Sequence, residues 1–135
     1  MSTTKAQVKF TLLQCAVLML LLLLLQQQQT AMAHNYLVGD EAYWEVPPFP
    51  TYYDVWAAHA GPFLMGDTLN FVYRRGDSVL RVNGPDYATC NIANPIESWT
   101  WGPHSYSLNI VGNIYFISGT PGHCASGQRL AMVVL

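Results

Sequence analysis

Charge is scarce in this chain, and basic charge most of all. Only 10% of the 135 residues are charged, and the two lysines, Lys5 and Lys9, both lie near the start. From His34 onwards four arginines oppose eight acidic residues, which gives a formal charge of about −4. Proteins that bind nucleic acids or anionic membrane surfaces usually do so through clustered basic residues. The composition therefore argues against nucleic acid as a partner.

Long apolar runs are also rare, because the only one spans Val17 to Leu25. Two lysines precede it, and the small residues of Thr30-Ala-Met-Ala33 follow it after four glutamines. This order is typical of a secretory signal peptide. An uncleaved membrane anchor is the alternative, but a spanning helix needs about 20 apolar residues. We expect a signal peptide over residues 1–33, cleavage after Ala33, and a secreted domain over residues 34–135.

The last residues lack the polar spacer and hydrophobic tail of a glycolipid-anchor signal, and no Asn-x-Ser/Thr sequon occurs. We therefore expect no glycolipid anchor by that route, no N-glycan and no transmembrane segment in the mature chain. The expected location is extracellular, with the outer face of the plasma membrane as a second possibility.

Cysteine is limited to three residues, and Cys15 lies in the predicted leader. The remaining pair, Cys90 and Cys124, reads as a disulfide in a small secreted domain. In the alternative reading Cys124 is a metal thiolate, which would leave Cys90 unpaired in an oxidising compartment.

Short alternating or β-branched segments recur between turn residues, which indicates an all-β sandwich or barrel. A tight turn is predicted at Gly112-Asn113 and another at Arg75-Gly-Asp77, and short helical turns at 52–60 and 85–90. Trp44, Trp56, Tyr106 and Tyr115 read as core. The predicted strands are 36–38, 43–46, 68–73, 78–82, 105–110, 113–117 and 130–135.

Several short motifs follow one another along the chain: Val38-Gly-Asp, Trp44-x-Val, Tyr53-x-x-Trp, Gly66-Asp-Thr-Leu-x-Phe, Asp86-Tyr-x-x-Cys-Asn, Asn94-Pro-Ile, Tyr115-Phe-Ile-Ser-Gly and Gly122-His-Cys-x-x-Gly-Gln128. Their order and spacing resemble plant phytocyanins, and most closely the early nodulin-like group of that family. The resemblance implies a cupredoxin-like Greek-key β-sandwich of about seven strands, with one or two short helices and a Cys90–Cys124 disulfide. It also implies that the extracellular location is the plant apoplast.

A blue-copper site needs a cysteine thiolate, two imidazoles and a weak axial group. The resemblance assigns these positions to Ser118 for the thiolate, Asp77 and His123 for the imidazoles, and Gln128 for the axial group. A serine hydroxyl does not ionise usefully and is a poor ligand for Cu(I). We therefore expect no cofactor, with weak Cu or Zn binding as the alternative.

Two other chemistries use the same kinds of residue. Ser118, His123 and Asp77 have the composition of a hydrolytic triad, but the nucleophile elbow is missing. An N-terminal His34 could clamp copper if His59 or His104 supplied a second imidazole, and nothing in their spacing indicates it.

Trp99 and Trp101 lie in a turn-rich segment, so we expect at least one of them to be exposed and available for binding. The resemblance implies a non-enzymatic structural or recognition role at the plant cell surface. The expected partners are cell-wall carbohydrate, an arabinogalactan-type glycoprotein or a membrane receptor protein. The alternative function is a copper-binding phytocyanin that transfers electrons.

Overall fold

The computed structural model describes residues 2–27 and 32–135. It divides into two compact units, Met1–Met32 and Ala33–Leu135. Within the first unit a single helix, α1, spans Ser2–Gln26. No helix in the described ranges has the length and apolar character needed to cross a membrane. The predicted cleavage segment falls partly outside the described residues, which resume at Met32.

The second unit is built from two β-sheets and two short helices. The strands are β1 Asn35–Leu37, β2 Thr68–Phe71, β3 Val79–Val82, β4 Glu97–Trp99, β5 His104–Ser107, β6 Gly112–Ile117 and β7 Arg129–Val134. The first sheet has the strand order β1-β2-β5 and the second the order β4-β3-β6-β7. The helices are α2 Tyr52–Ala60 and α3 Gly84–Thr89, and a single 3₁₀ turn spans Asp40–Ala42. The predicted all-β sandwich is therefore confirmed.

The main core lies between the sheets, where alternation sends every second side chain inward. Leu69 and Phe71 of β2 are fully buried, as are Trp44 and Tyr53. The second sheet is covered on its other face too. There Leu80, Val82 and Ile117 pack with Cys124 and with residues of and after α3, including Tyr87 and Cys90.

The Cys90–Cys124 disulfide is present, which confirms the predicted pairing. Cys90 follows α3 directly, so the bond ties that helix to the loop between β6 and β7. The reading of Cys124 as a metal thiolate is thereby wrong, because its sulfur is already bonded.

Several local predictions were wrong. Residues 43–46 form no strand, because Tyr43 adopts a positive φ of 57° and the hydroxyl of Tyr53 holds this segment. That hydroxyl donates to Tyr43 O at 2.6 Å and accepts from Glu45 N at 3.0 Å. The predicted tight turn at Gly112-Asn113 is wrong as well, since these two residues are the first of β6. Conversely, β4 lies where only turns were predicted.

The core predictions were mostly right, since Trp44, Trp56 and Tyr106 are buried. Tyr115 is only partly buried, because it lies on the outer face of the second sheet near Tyr87. Ile110, the last residue of the predicted strand 105–110, is 42% exposed because β5 ends at Ser107.

Candidate functional site

The four positions assigned by resemblance lie at one end of the second sheet. Asp77 precedes β3, Ser118 follows β6, and Gln128 precedes β7. Antiparallel pairing of β3 with β6 and of β6 with β7 brings these strand ends together. His123 lies in the intervening loop, where its backbone oxygen accepts from the N–H of Gln128 at 3.0 Å.

The carboxylate of Asp77 is the centre of this polar cluster. Its Oδ1 accepts hydrogen bonds from the N–H of Ser78 at 2.8 Å and from the hydroxyl of Ser118 at 2.7 Å. The hydroxyl of Thr120 donates to the same oxygen at 3.2 Å. Oδ2 accepts from Gln128 Nε2 at 2.8 Å. With four donors on two oxygens, most of the lone-pair capacity of the carboxylate is used.

The amide of Gln128 fixes the proton on His123. An ionised carboxylate only accepts, so the Gln128 nitrogen faces Asp77 and Oε1 faces the imidazole. His123 Nδ1 lies 2.8 Å from Gln128 Oε1, and therefore Nδ1 is the donor. The same nitrogen is 3.7 Å from Asp77 Oδ2. The inward-facing nitrogen of His123 thus carries a proton and has no free lone pair.

The surrounding packing holds the cluster in place. Ser118 and Gln128 are fully buried, and the Asp77 side chain is 11% exposed. The indole of Trp44 donates to Ser78 O at 2.9 Å, and Ser78 Oγ accepts from Gly119 N at 3.0 Å. A side chain at Gly119 would collide with Ser78 Oγ, so this approach requires glycine.

Sequence reasoning missed Thr120 and Ser78. Thr120 donates twice, through its hydroxyl to Asp77 and through its N–H to Ser118 Oγ at 3.1 Å. Two hydroxyl residues on either side of a glycine, as in Ser118-Gly-Thr120, are the sequence signal for such a local contact. Ser78 contributes mainly through its backbone N–H, which sequence alone does not distinguish.

A groove of about 480 Å³ opens beside the cluster. The exposed arginines Arg74 and Arg75 line it together with Glu45, Asp77 and His123. Its positive and negative groups are balanced, so the groove has no strong preference for ligands of one charge.

These residues do not fit a blue-copper ion. The set offers a carboxylate, a hydroxyl, an imidazole and an amide, and it lacks the thiolate on which the copper–sulfur bond depends. The hydroxyl of Ser118 is committed to Asp77, and the imidazole to Gln128. Across residues 2–27 and 32–135, no group of three or more His, Cys, Asp or Glu side chains is placed to hold a metal.

The two alternative chemistries, which the sequence did not favour, find no support in the contacts of these residues. In a hydrolytic triad the serine hydroxyl bonds to the histidine, whereas Ser118 donates to Asp77 and His123 faces Gln128. The ring of His34 stacks on Tyr36, and the ring of His104 stacks on Trp99.

The two predicted surface tryptophans differ in environment. Trp101 is 79% exposed, and its backbone oxygen accepts from the Tyr73 hydroxyl at 2.8 Å. Trp99 is half-buried, with its ring 4.3 Å from that of His104. A groove of about 470 Å³ beside Trp99 runs between the edge strands β4 and β5 and is lined also by Arg81, Glu97 and Asn109.

Comparison with known proteins agrees with this architecture. The family model described as "Plastocyanin-like domain" matches residues 44–128. Early nodulin-like protein 14 of Arabidopsis thaliana is 41% identical over 108 residues, covering 78% of this chain and 59% of that protein. Early nodulin-like protein 15 of the same plant is 40% identical, over 72% of this chain and 55% of its own length. The chain thus spans little more than half the length of these relatives.

Solved structures give the same answer. Cucumber stellacyanin, in a structure described with Cu²⁺, is similar at a TM-score of 0.69 and 29% identity, over 77% of this chain and 96% of its own. Cucumber basic protein, described as a blue copper protein, matches at a TM-score of 0.63 and 34% identity, over 75% and 99%.

The two packed sheets and the polar cluster at their end therefore define a cupredoxin-like protein. The chain belongs to the plastocyanin-like family, and within it to the early nodulin-like phytocyanins.

Proposed function

We propose that this chain is a secreted, non-enzymatic recognition protein of the plant cell surface that works without copper. The observation that carries the proposal is the closed hydrogen-bond cluster around Asp77. Four donors use most of the hydrogen-bonding capacity of the carboxylate, and Gln128 engages the inward nitrogen of His123. A metal entering here would have to displace these bonds and would still find no thiolate.

Copper titration tests the first half of this proposal. The purified protein mixed with Cu(II) is expected to show no intense visible band of the copper–thiolate type. The double variant Asp77→His/Ser118→Cys supplies the two missing ligands beside His123 and Gln128. That variant is expected to turn blue if the scaffold is otherwise intact.

The single variant Asp77→His is the matched control, since it adds an imidazole without a thiolate and is expected to stay colourless. An intense blue band from the unmodified protein would overturn the copper-free proposal. A colourless double variant that remains folded would show that the loop geometry differs from that of a copper site.

The binding surface that we propose comprises Trp101 and the groove between β4 and β5. Trp101 offers an exposed aromatic face, and the groove adds charged and amide side chains at Arg81, Glu97 and Asn109. Sugar rings need such a combination, because their C–H faces pack on aromatic rings while their hydroxyls bond to polar groups. The ligand we favour is cell-wall carbohydrate or the glycan of an arabinogalactan-type glycoprotein.

A glycan array probed with the secreted protein tests this assignment. Trp101→Ala is expected to lower the signal at least about fivefold, since an aromatic side chain that anchors a ligand is worth more than about 1 kcal/mol. Val111→Ala is the control, because Val111 is also an exposed apolar residue, at 63%, and belongs to neither part of the proposed surface. Equal loss in both variants, or a signal independent of Trp101, would contradict the site. Binding to a receptor ectodomain without glycan would instead favour a protein partner.

A further inference from the structure

A second buried carboxylate, Asp67, lies where the second unit begins. Asp67 is 1% exposed and immediately precedes β2. Its Oδ1 accepts from the backbone N–H of His34 at 2.9 Å, and its Oδ2 accepts from the N–H of Leu64 at 2.8 Å. The backbone oxygen of His34 in turn accepts from Thr68 N at 2.8 Å. The carboxylate thus faces the main-chain nitrogen of His34, one residue before β1.

The charge of Asp67 has no fixed cation in the described residues. None of the ion pairs formed there includes it. The titratable groups facing it are the imidazole of His34 and the hydroxyl of Tyr36. Burial opposes ionisation of Asp67, but the N–H groups of His34 and Leu64, the charge of His34 and the hydroxyl of Tyr36 together lower its pKa. Burial, and then the charge of Asp67, raises the pKa of Tyr36. The two hydrogen bonds that Asp67 accepts from the main chain come from neutral N–H groups, so a full positive charge at the nitrogen of His34 would compensate the carboxylate better.

We propose that cleavage after Ala33 converts the neutral N–H of His34 into an α-ammonium group that pairs with the buried carboxylate of Asp67. The nitrogen is already at hydrogen-bonding distance, so no backbone movement is needed. Hydrolysis of the Ala33–His34 peptide bond adds water across it, leaving a carboxylate on the leader and a protonated amine on His34. The ion pair holds β1 against β2, and a chain cleaved at a different peptide bond lacks this ion pair.

The ion pair has a predictable pH dependence. An α-amino group has an ordinary pKa of about 7.7–8.0, and a neighbouring carboxylate raises it. Because the folded pKa is raised, the stabilisation is complete below about pH 7.7 and is lost as the pH rises through the folded value. On the acid side, Asp67 contributes above its usual pKa of 3.8, and this contribution is lost as the pH falls through the lowered value.

The absence of lysine after Ala33 makes a clean experiment possible. The full chain is expressed in a secreting plant or yeast cell, and the N-terminal sequence of the product is determined; it is expected to begin at His34. Acetylation then removes the charge of the α-amine alone, because the mature chain has no other amine. Acetylation is expected to lower the Tm by about 4 °C or more, the shift that a lost charge-assisted contact produces in a domain of this size.

Reductive dimethylation is the matched control, since it modifies the same nitrogen but keeps its positive charge, and it is expected to lower the Tm less. In Asp67→Asn, acetylation is expected to have little further effect. NMR titration of the unmodified α-amine provides a test that does not depend on that variant folding, and a raised pKa is expected. A product starting at another residue, an unchanged Tm after acetylation, or an ordinary α-amine pKa would each overturn the proposal.

Discussion

At the scale of single residues, the carboxylate of Asp77 organises the end of the second sheet. Its two oxygens gather donors from Ser78, Ser118, Thr120 and Gln128. Each donor comes from a strand end or the loop between them, so one side chain joins three segments. A carboxylate can do this because it accepts several hydrogen bonds and donates none.

Removal of this carboxylate is expected to be costly. Asp77→Ala leaves the buried hydroxyl of Ser118 and the buried amide of Gln128 without their partner. Each unsatisfied group costs about 1–3 kcal/mol, so the free energy of unfolding should fall by roughly 2–6 kcal/mol. Urea unfolding measures this loss. Glu41→Ala removes an exposed carboxylate and is expected to change stability by less than about 0.5 kcal/mol. A similarly small effect at Asp77 would show that water replaces the carboxylate at no cost.

At the scale of elements, the edge strands β4 and β5 meet across the gap between the two sheets. The ring of Trp99 on β4 stacks on His104 of β5 and meets Tyr106 edge-on at 5.3 Å. On β3 and β4, Arg81 forms an ion pair with Glu97 at 3.1 Å. These side chains line the proposed carbohydrate groove, so the shape of the groove depends on the stack.

Acid is expected to weaken this contact. Burial lowers the pKa of His104, and the charge of Glu97 only partly opposes that effect. Because the folded pKa lies below the usual 6.5, the neutral ring contributes stability above pH 6.5 that is lost as the pH falls through the folded value.

The measurement is Tm between pH 7.5 and pH 5, at about half-unit steps across the usual histidine range. The decrease with falling pH should be smaller in His104→Gln than in the unmodified protein. His59→Gln, which changes an exposed histidine of α2, should leave the decrease unchanged. If His104→Gln follows the original curve, the stack is not the acid-sensitive contact.

At the scale of the whole molecule, the disulfide links two layers of the second unit. It joins the residue after α3 to the loop that carries His123 and closes a span of 34 residues. The same bond packs against Leu80, Val82 and Ile117 on the outer face of the second sheet. The loop that holds the polar cluster is therefore anchored covalently from one side and by hydrogen bonds from the other.

Loss of the disulfide should destabilise the whole unit. A disulfide that closes a loop of this length stabilises the folded state by about 3–4 kcal/mol in the chain-entropy model, because it constrains the unfolded chain. Cys90→Ala/Cys124→Ala is expected to lower the unfolding free energy by about that amount, as measured by urea unfolding. Cys15→Ala is the control, because that residue lies in the predicted leader and the secreted product should be unaffected. Equal stability of the double variant would mean that the unfolded chain is already compact there.

Much of the fold was predictable because its signals are local. Leu69 and Phe71 alternate with polar neighbours, and this pattern predicted β2. Strand β4 was not predicted, because its three residues, Glu97-Ser-Trp99, are too few to show the alternation that marks a strand. Residues 43–46 have the composition of a strand, but the hydroxyl of Tyr53 and the positive φ of Tyr43 hold them in another conformation.

The sequence by itself determined the strand-rich class of the protein and its disulfide, which follow from residue count and short-range order. The resemblance to phytocyanins added the expectation that Ser118 lies where a copper site has its thiolate. Only the tertiary structure decided what Asp77 does, because its partners Ser118 and Gln128 lie 41 and 51 residues further along the chain. Such contacts depend on the pairing of β3, β6 and β7. Hydrogen bonding across paired strand ends is a property of the folded sheet, and no local pattern encodes it.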